Sequence, residues 1–122
     1  MPHARKDTTP IAVDAPPIEF RFAELDGYTV GFETFKVDAD PAEFFKGLPD
    51  DRCQCPHWGF VLHGQLTTTD AGGVRETVNA NDLLYWPPGH NVKVDADAKI
   101  IMFSPQREHS HVINHMIEKV KG

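Results

Sequence analysis

The sequence predicts an all-β fold: a small antiparallel barrel or sandwich closed by one C-terminal helix. Three observations predict it. Short stretches alternate apolar and polar residues at the two-residue beat of a strand. Gly, Pro, Asp and Asn cluster between them as turns. The last segment alone changes to helical spacing, with Ile113, Met116, Ile117 and Val120 on one face. No repeat of the length that marks a solenoid and no shift of composition divides the chain.

The elements follow in order. Residues 1–17 carry four of the ten prolines and mixed charge, and read as a flexible or surface-hugging arm. The barrel occupies 18–104, opening with I-E-F-R-F from Ile18. Asp26-Gly27 turns the chain into Y-T-V-G-F-E-T-F. Asp40-Pro41 before A-E-F-F-K-G reads as a short helical turn, with Asp as N-cap and Pro at the first helical position. A strand over 53–63 is expected to end at Gly64, followed by Q-L-T-T-T, the turn D-A-G-G and V-R-E-T-V. Asn79 to Asp82 is a turn, L-L-Y-W a strand and P-P-G a break. N-V-K-V and K-I-I-M-F are expected as two strands separated by a D-A-D-A turn. Ser104-Pro105 then supplies an N-cap and first residue for a helix over 105–122 that packs on the barrel.

Composition narrows the function. The formal charge is −6, without any run of Lys and Arg, which argues against a nucleic-acid partner. No apolar run approaches a membrane span, and the N-terminal stretch lacks the apolar centre of a secretory signal, so cytoplasmic localisation is expected. The two cysteines, Cys53 and Cys55, would lie about 6.6 Å apart in a strand with parallel side chains, a poor geometry for a disulfide. A small single-domain barrel exposes edges and faces that a two-fold partner commonly covers, so a homodimer is expected.

Chemistry concentrates in C-Q-C-P-H-W-G-F-V-L-H, residues 53–63. Cys53, Cys55, His57 and His63 share one beat, Trp58, Phe60 and Leu62 the other. The stretch H-W-G-F-V-L-H-G and the later N-D-L-L-Y-W-P-P-G-H resemble the two signature strand motifs of the cupin superfamily. They are most similar to a group of small single-domain bacterial cupins with C-P-H-W-G-Y-V-L-x-G and P-P-G-H motifs. The resemblance covers about residues 25 to 105, with helix 105–121 similar to that group's C-terminal tail. It implies a jelly-roll barrel, a small cupin-like antiparallel β-barrel with its site at the mouth. Counting back from Gly64, His57 takes the place of the usual motif's Glu, and no His occupies the positions of its H-x-H. Val92 stands where the second motif has its His, while His90 directly follows Gly89. The resemblance therefore implies His57 and His90 as ligands, with Cys53 or Cys55 replacing others.

Spacing chooses between the cysteines. In a straight strand Cys53 and His57 would be about 13 Å apart, beyond shared reach unless Pro56 or a bulge bends the chain. Cys55 and His57, about 6.6 Å apart, suit a common ion. The expected metal set is thus His57, His90 and Cys55, with Cys53, Glu33 and Tyr85 lining the pocket. One thiolate with two imidazoles suits zinc or copper, whereas two imidazoles with Glu33 as carboxylate would suit iron. His63 reads as surface, and His111 with His115 as a solvated pair one helical turn apart.

Three functions fit. A divalent metal and a small organic molecule bound in the pocket would support metal-dependent catalysis of unassigned reaction, because no other catalytic motif occurs. The same pocket without activity would be a metabolite or metal sensor. A thiol redox protein would use Cys53 and Cys55, and needs accessible sulfur of depressed pKa.

Overall fold

The protein is described by a computed structural model covering residues 2–121. Met1 and Gly122, the outer ends of the expected arm and helix, lie outside the described residues. The strands are β1 (Ile11–Ala15), β2 (Ile18–Leu25), β3 (Tyr28–Phe35), β4 (His57–Thr69), β5 (Arg75–Asn79), β6 (Leu83–Trp86) and β7 (Asn91–Pro105). Helix α1 (Pro41–Phe45) follows β3, and α2 (Gln106–Lys121) follows β7. Pairing is antiparallel throughout, in the order β1-β2-β3-β7-β4-β5, with β6 beside the first half of β4. This is the small antiparallel β-barrel with one C-terminal helix that the sequence predicts.

The barrel is filled from the alternate positions of its strands. Val61 and Leu66 of β4 meet Val94, Ile100 and Met102 of β7, each almost wholly buried. Each such side chain contributes about 1.5–3 kcal/mol by leaving water. The opposite beat of β4 faces outward, where Trp58 lies against Tyr85 of β6 with ring centroids 5.1 Å apart. Turn chemistry matches the sequence at Asp26-Gly27 and at Asn81, all at positive φ.

Several expectations about elements change. Residues 11–15, expected within the N-terminal arm, form the edge strand β1, with Val13 buried against the barrel. Gly64 does not end its strand. It carries φ +89 inside β4, at a run of register shifts opposite β7, where an added Cβ would strike the Asp97 carbonyl. The D-A-D-A segment is not a turn but the middle of one long strand. Its acids are anchored sideways, as Asp97 accepts a hydrogen bond from the Val37 N–H at 2.8 Å and Asp95 one from the Thr67 hydroxyl.

Helix α2 crosses the barrel mouth and packs on β1, β3, β7 and α1. His109, Val112, Ile113 and Met116 form its buried face, at spacings of three and four residues. Val120, expected on this stripe, is exposed, because the helix has passed the barrel by then.

Candidate metal centre

The segment before β4 is not extended, and that decides which cysteine meets the histidines. Cys53 is tied into a backbone bridge with His90: its N–H donates to the His90 carbonyl at 3.0 Å, and the Gly89 N–H donates to its own carbonyl at 2.8 Å. Gln54 to Pro56 then turn the chain, and β4 starts only at His57. The bend brings Cys53 Sγ to 3.5 Å from His57 Nε2. Donor atoms of Cys53, His57 and His90 all lie within 4.8 Å of one another, and all three residues are buried.

This spacing fits one ion. Bonds of about 2.3 Å to sulfur and 2.0–2.1 Å to nitrogen, at a tetrahedral angle, put the two donors about 3.5 Å apart. The second nitrogen of each imidazole is engaged. His90 Nδ1 donates to the Pro87 carbonyl at 2.7 Å, which leaves Nε2 as the free lone pair. His57 Nδ1 is 2.6 Å from Ser104 Oγ, which can accept its proton and turn the Nε2 lone pair toward Cys53. Outer hydrogen bonds of this kind fix tautomer and ring orientation in metal sites.

Burial sets the protonation states. Burial above all, then the neighbouring His90 and His109, holds the pKa of His57 well below the usual value for histidine. Burial lowers His90 to about 4, partly offset by the Pro87 carbonyl. Both imidazoles are therefore neutral at pH 7, as ligation requires. Burial pushes the Cys53 thiol up, so a cation would have to displace its proton on binding.

The remaining expected residues divide. Cys55, expected as the third ligand, is fully buried but turned away: its sulfur faces the Pro56 carbonyl at 3.4 Å. Burial raises its pKa to about 12, partly offset by the Ser104 hydroxyl. The straight-strand distances that favoured Cys55 over Cys53 fail because residues 53–56 are not a strand. Two buried thiols of raised pKa also lack the access and acidity that the redox reading needs. Glu33 does line the cavity, though its carboxylate is not among the converging donors. Tyr85, expected to line it, points outward from β6 and is 51% exposed, while its neighbour Trp86 takes the inward place. His63 is exposed.

One polar residue of the cavity was not foreseen. His109 enters from α2, 3% exposed, with its ring centroid 5.9 Å from that of His57. The signal was present, since His109 lies at the head of the same helical stripe as Val112, Ile113 and Met116. Ser104, expected as a helix cap, instead points inward from β7 in step with Ile100 and Met102. The cavity lined by Glu33, Cys53, His57, His90 and His109 measures about 30 Å³, about two water molecules on that measure.

No protein-family model matches the sequence, and no curated protein matches it. Solved structures do match the fold. An RmlC-like cupin from Shewanella frigidimarina superposes with a TM-score of 0.64 at 16% identity, over 88% of this chain and 93% of that one. The chain has the cupin fold. Ectoine synthase from P. lautus gives a TM-score of 0.63 at 9% identity, over 86% and 78% of the two chains. KdgF from Halomonas sp. gives 0.59 at 16%, over 87% and 96%. Structures of this shape thus include one named as a synthase. At these identities the likeness concerns the fold, and the site must be argued from its own residues.

Proposed function

We propose that this cupin barrel binds one divalent transition metal through Cys53, His57 and His90, together with a small organic molecule at the position these ligands leave open. The observation that carries the reading is the convergence of three buried donors with each histidine's other nitrogen already engaged. A thiolate with two imidazoles favours zinc or copper over magnesium, calcium or manganese. Three protein ligands with an open place is the pattern of catalytic rather than closed structural zinc sites. Such an ion supplies Lewis acidity or an activated water. The chain's own residues hold the imidazoles neutral, orient them through Ser104 and Pro87, and shield the place from bulk water with α2.

The test is metal content by plasma mass spectrometry on tag-free protein purified without chelator. Near-stoichiometric zinc or copper is expected, and its disappearance in a His57→Ala/His90→Ala variant. Wild-type protein that carries no metal and takes up none on reconstitution sinks the reading.

The barrel is further read as a homodimer joined through its outer face. Trp58, Tyr85, Leu83 and Phe103 are each more than two-fifths exposed on the neighbouring strands β4, β6 and β7, an apolar patch of the kind that marks contact sites. Sedimentation should give a dimer for the wild type and a monomer for Trp58→Glu/Phe103→Glu; a monomeric wild type overturns this part. No helix of the described residues is long and apolar enough to cross a membrane.

A further inference from the structure

Two buried polar side chains of the cavity are left over once the three donors are assigned. Glu33, from β3, is 6% exposed and His109, from α2, is 3% exposed. Both line the cavity that holds Cys53, His57 and His90. Neither side chain makes a hydrogen bond among the described residues, and desolvation alone shifts both; the wholly enclosed side-chain atom without a partner is Thr68 Oγ1, outside this cavity. Folded proteins pair the large majority of such groups, and leaving one unpaired costs stability. Two unpaired in one small cavity is the mark of a site shaped for something else.

The surroundings narrow what that something is. The wall around Glu33 and His109 is apolar, built from Phe20, Phe35, Phe45, Val112, Ile113 and Met116. Among the described residues no Lys or Arg lines it, so no cationic side chain beside Glu33 and His109 offsets the charge of an anion. Burial raises Glu33 to about 8 in the metal-free chain, but a bound divalent cation would favour its ionised form. The ion, the Cys53 thiolate and the Glu33 carboxylate would then sum to zero charge, which favours an uncharged guest. Glu33 offers acceptor oxygens, and a neutral His109 offers one donor and one acceptor. The small volume limits the guest to a few heavy atoms.

We propose that Glu33 and His109 form the second half of the binding site and grip the polar end of a small uncharged molecule bearing an N–H or O–H donor. Its other end faces the Cys53/His57/His90 cluster, and in that respect the inference rests on the metal reading. Glu33 and His109 are positioning residues that select the ligand. Helix α2 supplies one wall of this half, with His109 and three of the apolar residues.

Cobalt(II)-loaded protein titrated with hydroxylamine and with azide, followed by the visible spectrum, tests the assignment. The two probes are similar in size. At neutral pH hydroxylamine is uncharged and rich in donors, whereas azide is an anion that only accepts. The wild type should prefer hydroxylamine. Glu33→Gln should reduce that preference by about tenfold or more, the range expected for a hydrogen bond to a charged group. His109→Phe should weaken hydroxylamine several-fold, with cobalt content unchanged in both. A preference for azide in the wild type, or an unaltered ratio in Glu33→Gln at full cobalt content, overturns the proposal. If no cobalt is taken up, the metal reading fails by itself, and the metal-free chain decides. There, unpartnered groups predict that Glu33→Leu and His109→Phe each raise the melting temperature, by about 3 °C or more. A fall in either variant shows a structural role and overturns the assignment.

Discussion

The molecule holds two pairs of histidines that look alike on paper and differ in every property that matters for binding an ion. His111 and His115 lie one turn apart on α2, a spacing that suits chelation. His57 and His90 come from different parts of the chain, 33 positions apart. Yet His115 Nε2 is committed to the Lys46 carbonyl at 2.7 Å, and His111 is exposed. The inner pair is buried, with ring centroids 5.0 Å apart, and each ring turns its engaged nitrogen away from the cluster. Proximity in sequence is therefore a poor guide to a site. What distinguishes the inner pair is a third group on each imidazole that fixes which nitrogen is free.

The largest expected effect breaks the comparison outright. His57→Ala/His90→Ala should abolish stoichiometric metal, each ligand being worth roughly a hundredfold or more in affinity. His111→Ala/His115→Ala should leave it intact, as measured by competition with a chromogenic chelator. Loss of metal in the α2 variant instead would move the site to the surface.

The cysteines sharpen the contrast next. Cys53→Ser should remove the sulfur-to-metal charge-transfer absorption of the cobalt form, whereas Cys55→Ser should keep it. The reverse pattern would return Cys55 to the ligand set. A smaller change is expected from Ser104→Ala, which deletes only the group that orients His57. Metal affinity should fall about 10- to 100-fold, the usual cost of losing such a partner. An unchanged affinity would mean that packing alone holds the ring.

The smallest expected effects are in the stability of the metal-free protein across pH. His57, His90 and His109 have folded pKa values depressed below 6.5, so their contribution is present above that value and lost as pH falls toward 4. Glu33 runs the other way. Desolvation raises it from 4.5 to about 8, so its contribution is full below 4.5 and gone as pH rises through 8. Between pH 4.5 and 6.5 the unfolded chain binds three more protons on the histidines and one fewer on Glu33, and stability rises with pH. Between 6.5 and 8 only Glu33 acts, and stability falls more gently. Denaturation at a series of pH values should therefore show a maximum near 6.5, and Glu33→Gln should flatten the alkaline limb. A wild-type curve still rising from 6.5 to 8 would contradict the burial of an unpaired Glu33.

The legible parts of the fold are those fixed by local rules. The alternation of β4 put His57 inward and Trp58 outward, and Asp26-Gly27 and Asn81 adopt the backbone their residue types allow. Parity also read correctly for Phe60 and Leu62. The site was legible only as far as parity reaches. Cys53 meets His57 because Pro56 and the bridge to His90 bend a segment that reads, residue by residue, as the start of a strand. Nothing within that stretch encodes a bridge made 37 positions away. Ser104 was read for its helix-capping habit, yet a buried strand position beside an imidazole uses the same hydroxyl differently. His109 shows the complementary failure, since its stripe was visible but a histidine on an apolar face draws no notice until the opposing wall is known.

The position of α2 has a consequence for the order in which the molecule comes apart. His109, Val112, Ile113 and Met116 all belong to that one helix, whereas Cys53, His57 and His90 sit on strand β4 and the segments that bridge beside it. A terminal helix can detach as a local unit at less cost than unfolding the sheet. Backbone amides of α2 should therefore exchange with solvent faster than those of β4 and β7, and the guest half of the cavity would come apart while the metal half stays whole.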